Sequence, residues 1–529
     1  MLAIGYPMYW VEMYGLHSRH GVTSPWAASL FAFFVIFIVL REWSTIVATL
    51  RDLAGWFSHL DKTTRLLGAI AGVVMVVIVA SAFGAALLPP HLMQEGDALN
   101  YHYSLTRQHL ILGSFDRIAW SGFDLFLMPV DFALAPYWFV TALPNKFPQF
   151  LFFAGLILVL ASLARHFKKD RWAPAVLAVA FFLGSHGHGI QMGTAMLDLV
   201  NAYLFLAAID SFFKRAHWLF IIEANFYIWS KPLMPLGVLL LVAVVILVVV
   251  VFKRFSFKTL LWDFQEVCTA ADLKAGALFL RQCALGFYVT ALLVAGPFAV
   301  KSMVYSGTPF YPFANGWLAH PRTPDGTVAW DSLKKVAEHI MDVRNNYGYG
   351  RSASDFIQHF WLIAVPQKGV NNLFDYPVGL TYLLVLGPFI FFTVQAFRQR
   401  QVPLLPLLTM VLWGLWWLGS QQSRWLFVPL LLMFVLTAVR LERPSKILWL
   451  TVILALVTNG ASVVRSHRAN FGKTPAAVLR APDRKLVDLS VAYIRDGRSD
   501  MVEVEEYEVA FAQFPVVVRK ENLPNAVAF

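Results

Sequence analysis

Long apolar runs alternate with short polar breaks over most of the chain. Runs at 26–40, 66–88, 150–164, 172–185, 194–213, 218–229, 232–252, 277–300, 377–397, 403–419, 425–440 and 447–464 read as apolar helices. The run at 66–88 is long enough to cross a bilayer. The breaks differ in character. Those at 41–65, 165–171, 214–215, 253–254, 398–401 and 440–446 are rich in Lys and Arg. The positive-inside rule places them in the cytoplasm. The other breaks, at 89–149, 184–189, 231, 301–376 and 420–424, then face outward. The pattern predicts an all-α polytopic membrane protein of about twelve spans, with both termini outside.

Two stretches depart from the pattern. Residues 123–140 are apolar, but Asp124, Pro129, Asp131 and Pro136 interrupt them. A span there would force the next basic cluster outward, so the stretch is expected to lie as a helix in the outer interface. The tail, 465–529, is polar. It predicts a helix near 485–494 and a strand in Met501-Val502-Glu503-Val504-Glu505. The division is a membrane unit at 1–464, including outer loops 89–149 and 301–376, and a small extracytoplasmic α/β region at 465–529. Residues 1–10 have no basic start and no compact apolar core followed by small residues, so no cleavable signal peptide is expected.

Composition agrees. The chain has 529 residues, 58% of them hydrophobic and 14% charged. Soluble domains carry roughly 25% charged residues, which excludes a soluble enzyme. The net charge of +11 suggests nucleic acid until the basic residues are placed. They sit in short loops between spans, so membrane lipids are expected partners and nucleic acid is not. Cys268 and Cys283 imply no disulfide framework.

The polar residues that remain gather on the outward side. Gln94-Glu95-Gly96-Asp97-Ala98-Leu99-Asn100-Tyr101-His102-Tyr103 follows the span at 66–88, with Asp116-Arg117 and Asp124 further along. His186 and His188 lie in a glycine-rich turn, and Asp198 about one helical turn below it. Lys231, Tyr311 and Gln421-Gln422-Ser423-Arg424 mark three more outer turns. Charge at membrane depth is costly and points to function. Plainer readings stand beside that one. Asp97 can cap a helix. The two histidines can bind metal, contact a substrate or line their turn, and no cysteine cluster accompanies them. Asp198 can pair with a neighbouring basic residue. Lys231 and Arg424 can reach lipid head groups.

Three of these stretches resemble one family. Gly96-Asp97-Ala98-Leu99-Asn100-Tyr101-His102 is similar to the D-A-L-x-Y-H segment of bacterial membrane glycosyltransferases of the C-type (GT-C) fold. Ser306-Gly307-Thr308-Pro309-Phe310-Tyr311-Pro312-Phe313 resembles their S-G-N-P-x-x-P-F loop, with Thr308 in place of Asn. Gln422-Ser423-Arg424-Trp425-Leu426-Phe427-Val428-Pro429 resembles their Q-x-R-Y-L-x-x-P helix start, with Trp425 in place of Tyr. The matches occur in family order.

The resemblance implies a bacterial inner-membrane enzyme whose site faces the periplasm or exterior. Its donor is a polyprenyl-phosphate-linked sugar and its acceptor a glycan, lipid or protein. It puts the catalytic role on Asp97 and a lipid-phosphate contact on Arg424. A second acid falls to Glu95, Asp116 or Asp124. Tyr101 and His102 line the acceptor side, with Lys231 a second cation for the phosphate. Divalent-metal use stays open. A lipid or polysaccharide transporter and a surface-polysaccharide polymerase or ligase are the alternatives.

Overall fold

The structure, a computed structural model, describes residues 1–16, 25–88, 98–118, 122–140, 144–168, 171–230, 270–309, 311, 347–364, 374, 377–399, 404–441, 444–471, 502–504 and 516–518. Helix α1 (Leu2–Val11) runs into a π turn (Glu12–Leu16). Helix α2 (Pro25–Ser58) is continuous. The polar stretch after residue 40, read from the sequence as a separate segment, extends this helix because no breaker intervenes. Asp61 then caps α3 (Lys62–Ala86), accepting from the backbone N–H groups of Thr63 and Thr64 at 3.1 Å.

A π turn (Ala98–His102) leads into α4 (Tyr103–Leu112). A 3-10 turn (Gly122–Leu125) and α5 (Pro129–Trp138) complete the first outer loop. The bundle continues with α6 (Phe147–Phe167), α7 (Trp172–Leu183), α8 (His186–Gln191), α9 (Asp198–Phe213) and α10 (His217–Ile228). Helices α11 (Ala270–Ser306), α12 (Ala353–Leu362), α13 (Leu380–Arg398) and α14 (Leu404–Leu418) follow. A 3-10 turn (Ser423–Leu426), α15 (Phe427–Arg440) and α16 (Lys446–Phe471) close the helical part. Strands β1 (Val502–Val504) and β2 (Val516–Val518) pair in parallel, Val502 opposite Val516.

Among the described residues, six helices are long and apolar enough to cross a membrane: 62–86, 147–167, 278–306, 380–398, 423–440 and 446–466. The chain fits a helical membrane protein. The expected count of about twelve spans is not reached among these residues, on a span length of roughly 20. Helices α7 and α14 are apolar but shorter, and α9 and α10 have 16 and 12 residues. The run at 232–252 and the helix expected at 485–494 lie outside the described residues. The strand expected near 501–505 is β1.

Helix α15 is the centre of the bundle. Its span is 78% buried inside the protein, against 22% for α3. It packs on α7, α14, α13, α6 and α9. In lipid, packing and polar contacts rather than water exclusion hold helices together. Thr381 Oγ1 donates to Gly184 O at 2.6 Å, and Ser162 Oγ to Asp210 Oδ1 at 2.9 Å.

Helix α5 falls in the stretch expected as an interfacial helix, 123–140, and is covered by protein. Every residue from Pro129 to Trp138 is buried. Helix α1 covers it on one side and α4 packs on it too. Gly5 permits the close approach, since a Cβ there would lie 2.0 Å from Ala133 O. Tyr9 donates to Thr106 O at 2.7 Å and Tyr6 to Val294 O at 2.8 Å, tying α1 to α4 and α11.

The helices run alternately between two ends. At one end, Arg165 meets Asp52 at 3.4 Å, Trp172 Nε1 donates to Asp52 at 2.8 Å and Lys446 lies 3.8 Å from Asp61. These are the breaks the sequence marks as basic. At the other end sit the starts of α4, α8, α9 and α15 and the C-terminal end of α11.

Candidate functional site

Hydrogen bonds join the breaks at the second, loop-rich end to one another. Val378 O accepts from His186 N–H at 2.9 Å and from Ser185 Oγ at 3.1 Å. Val378 N–H donates to Ile363 O at 2.7 Å, and Ser423 N–H to Phe374 O at 2.9 Å. Gln421 Nε2 donates to Gly350 O at 2.9 Å, while its Oε1 accepts from Tyr349 N–H at 3.1 Å. Gln149 Nε2 donates to Ala195 O at 3.3 Å. Gly193, at φ 78°, presses the turn before α9 onto the end of α3, where a Cβ would stand 2.2 Å from Ala82 O.

The candidate residues fall into two groups at this end. The first is carried by the first outer loop and α11. Tyr101 stacks on Phe123 (4.7 Å), Phe123 meets Phe126 (5.1 Å), and Phe126 meets Tyr311 (5.7 Å). His102 is buried, and its Nδ1 pairs with Asp131. Asp116 is exposed. The π turn at Ala98–His102 is an unusual backbone geometry that recurs at functional sites.

The second group surrounds α8 and the start of α15. His188 is fully buried, its ring stacked on Phe427 at 4.3 Å. Ser185 Oγ donates to Val378 O, so it accepts from His188 Nδ1–H at 2.7 Å. That fixes the tautomer and leaves a lone pair on Nε2, which has no partner among the described residues. Burial pushes the His188 imidazole down to about 3, so it stays neutral. Burial also lowers His186, while the side chain of Asn459 works the other way. Asp198 opens α9 and accepts from Gln191 Nε2 at 3.1 Å. Gln422 is buried, and its Oε1 lies 3.4 Å from Arg424 Nη2. Helix α8 packs on the Ser423–Leu426 turn, so the two histidines and Arg424 share one corner.

Asp97, Glu95 and Lys231 lie outside the described residues. Among the described residues, no group of three His, Cys, Asp or Glu side chains is placed to hold a metal.

The sequence reading passed over a buried triad. Lys301 Nζ donates to Asp124 Oδ1 at 2.7 Å, and His109 Nε2 lies 2.7 Å from the same oxygen and 3.0 Å from Lys301 Nζ. His109 Nδ1 donates to Ser114 O at 2.9 Å, and Asp124 Oδ2 accepts from Ile118 N–H at 2.7 Å. Burial pushes the Asp124 carboxyl up, but Lys301 and His109 outweigh it and hold it at about 2. Burial, then Lys301, lowers His109. Of the three acids offered for a second acidic role, Asp124 is thus tied into a structural ion pair. The available signal was Lys301 itself, a cation within a helix that the apolar pattern ends at residue 300.

No protein-family model and no curated protein sequence matches the chain.

Proposed function

We propose that the chain is an integral-membrane glycosyltransferase that uses a polyprenyl-phosphate-linked sugar. One observation carries this reading. The described parts of the three family-like motifs, at 98–102, 306–311 and 422–426, all stand at the loop-rich end, although hundreds of residues separate them. About twelve spans, an outer α/β tail and an inner-membrane location with this end outward complete the proposal.

The chemistry follows from the donor. The acceptor hydroxyl oxygen attacks the anomeric carbon, and Asp97 takes its proton. The bond from that carbon to the phosphate oxygen breaks, and polyprenyl phosphate leaves with the electron pair. Arg424, with Lys231, holds the departing charge in a low-dielectric corner. Tyr101 and His102 line the acceptor side. Gln422, Tyr311, His186, His188 and Asp198 shape the walls.

The test is sugar transfer from a polyprenyl-phosphate donor in proteoliposomes. Asp97→Asn should abolish transfer while leaving donor binding intact. Arg424→Ala should weaken donor binding more than Arg424→Lys. Wild-type transfer by folded Asp97→Asn protein would remove Asp97 from the reaction. Donor movement across the bilayer without transfer would favour a transporter.

A further inference from the structure

The joint between the first outer loop and α11 holds two cations, Lys301 and Arg117, around one buried carboxylate, Asp124, with Asp116 exposed. Gly113, at φ 63°, ends α4 and turns the chain back. Phe115 packs edge-on against Phe132 (5.4 Å) and Phe298 (5.2 Å), and Ile118 is anchored by its bond to Asp124. Arg117 sits between these two anchors. Its Nε and Nη1 are buried and have no hydrogen-bond partner among the described residues.

The acid acting most strongly on Arg117 is Asp124. Both Asp124 oxygens are already taken, one by Lys301 and His109 and the other by Ile118 N–H. The Asp116 side chain is exposed. Among the described residues, Lys301 and Arg117 therefore face a single buried carboxylate. Tyr305 and Tyr311 lie within electrostatic reach of the guanidinium. Enclosed donors left without an acceptor are unfavourable. A guanidinium presents several donors in one plane and suits the oxygens of a phosphate.

We propose that Arg117 is the centre of an anion-binding notch that takes a phosphate group between the first outer loop and α11. The notch is separate from the phosphate contact assigned to Arg424, which stands on the turn before α15. Free phosphate and the phosphate of a lipid head group share the required chemistry.

The experiment is a thermal-shift titration of the full chain in detergent. Inorganic phosphate is titrated against sodium chloride of equal ionic strength. A parallel arm compares nanodiscs of phosphatidylcholine with and without phosphatidate. Wild type should gain stability saturably with at least one phosphate source, and which one identifies the source. Arg117→Gln should weaken that response at least tenfold, and Arg117→Lys by less. Arg424→Ala should keep the part of the response that Arg117→Gln removes, which separates this notch from the donor assignment. Without phosphate, Arg117→Gln should melt no lower than wild type, because Nε and Nη1 have no hydrogen bond to lose among the described residues. If the Gln variant does not fold, the partial loss in the Lys variant carries the test. A wild-type-like titration by a folded Arg117→Gln or Arg117→Lys variant would overturn the proposal. So would the absence of a saturable response to either source in wild type.

Discussion

The two ends of the bundle use charge in opposite ways. At the basic end two ion pairs are open to water, Asp52 and Arg165 side chains being 60% and 22% exposed and Asp61 and Lys446 58% and 60%, while Lys214, 51% exposed, reaches an Asp210 that is 11% exposed. Such pairs contribute about 0–1 kcal/mol each, and their value lies in orienting the helices. At the loop-rich end Lys301 and Asp124 are 3% and 2% exposed, and His109 is closed off. Charges sealed in this way are retained only where other contacts fix them or where they act. The contrast shows where to look for chemistry. The basic end is built to be held in place, and the loop-rich end is built around groups that would rather be in water.

The contrast is most exposed to attack at the buried ion pair. Lys301→Met leaves Asp124 buried without its cation and should cost about 3–5 kcal/mol in unfolding free energy. Adding Asp124→Asn should return much of that loss. Next, Gly193→Val should cost at least roughly 1–3 kcal/mol from the left-handed backbone alone, with the clash against Ala82 O on top. Loosening of the turn before α9 should follow, read by hydrogen exchange.

A smaller effect is pH-dependent. His188 is held down to about 3 from the ordinary 6.5. Its contribution is complete above 6.5 and is lost as the pH falls toward about 3, because the unfolded ring takes a proton that the folded one refuses. Melting temperatures across that window should fall more steeply for wild type than for His188→Gln. The weakest effect belongs to the basic end, where Asp52→Asn should change stability by no more than about 1 kcal/mol. A loss at Asp52 as large as that at Lys301 would erase the contrast.

Much of the scaffold was legible in the sequence because lipid imposes a local rule. An apolar run must be a helix, and the Lys and Arg in the breaks choose its direction. Hence hydropathy and charge alone put 52, 61, 165 and 446 at one end, and the structure adds that 52 meets 165 and 61 meets 446. What stayed hidden is non-local. Helix α5 is apolar nearly all round, and hydropathy does not say whether lipid or α1 covers it. Asp124 and Lys301 lie 177 residues apart, and no periodicity pairs them. His102 and Asp131 belong to different elements of the same loop. The candidate motifs were visible as residue types, while the tautomer of His188 and the unmatched guanidinium of Arg117 exist only in three dimensions.

Sidedness is the decisive measurement, because the proposed chemistry needs the loop-rich end outside the cell. In a background lacking Cys268 and Cys283, Asp116→Cys and Lys446→Cys place single thiols at exposed positions of the two ends. A membrane-impermeant maleimide applied to intact cells should label the thiol at position 116 at once, and the one at 446 only after permeabilisation. Labelling in the reverse order would put the loop-rich end in the cytoplasm and contradict the proposed orientation.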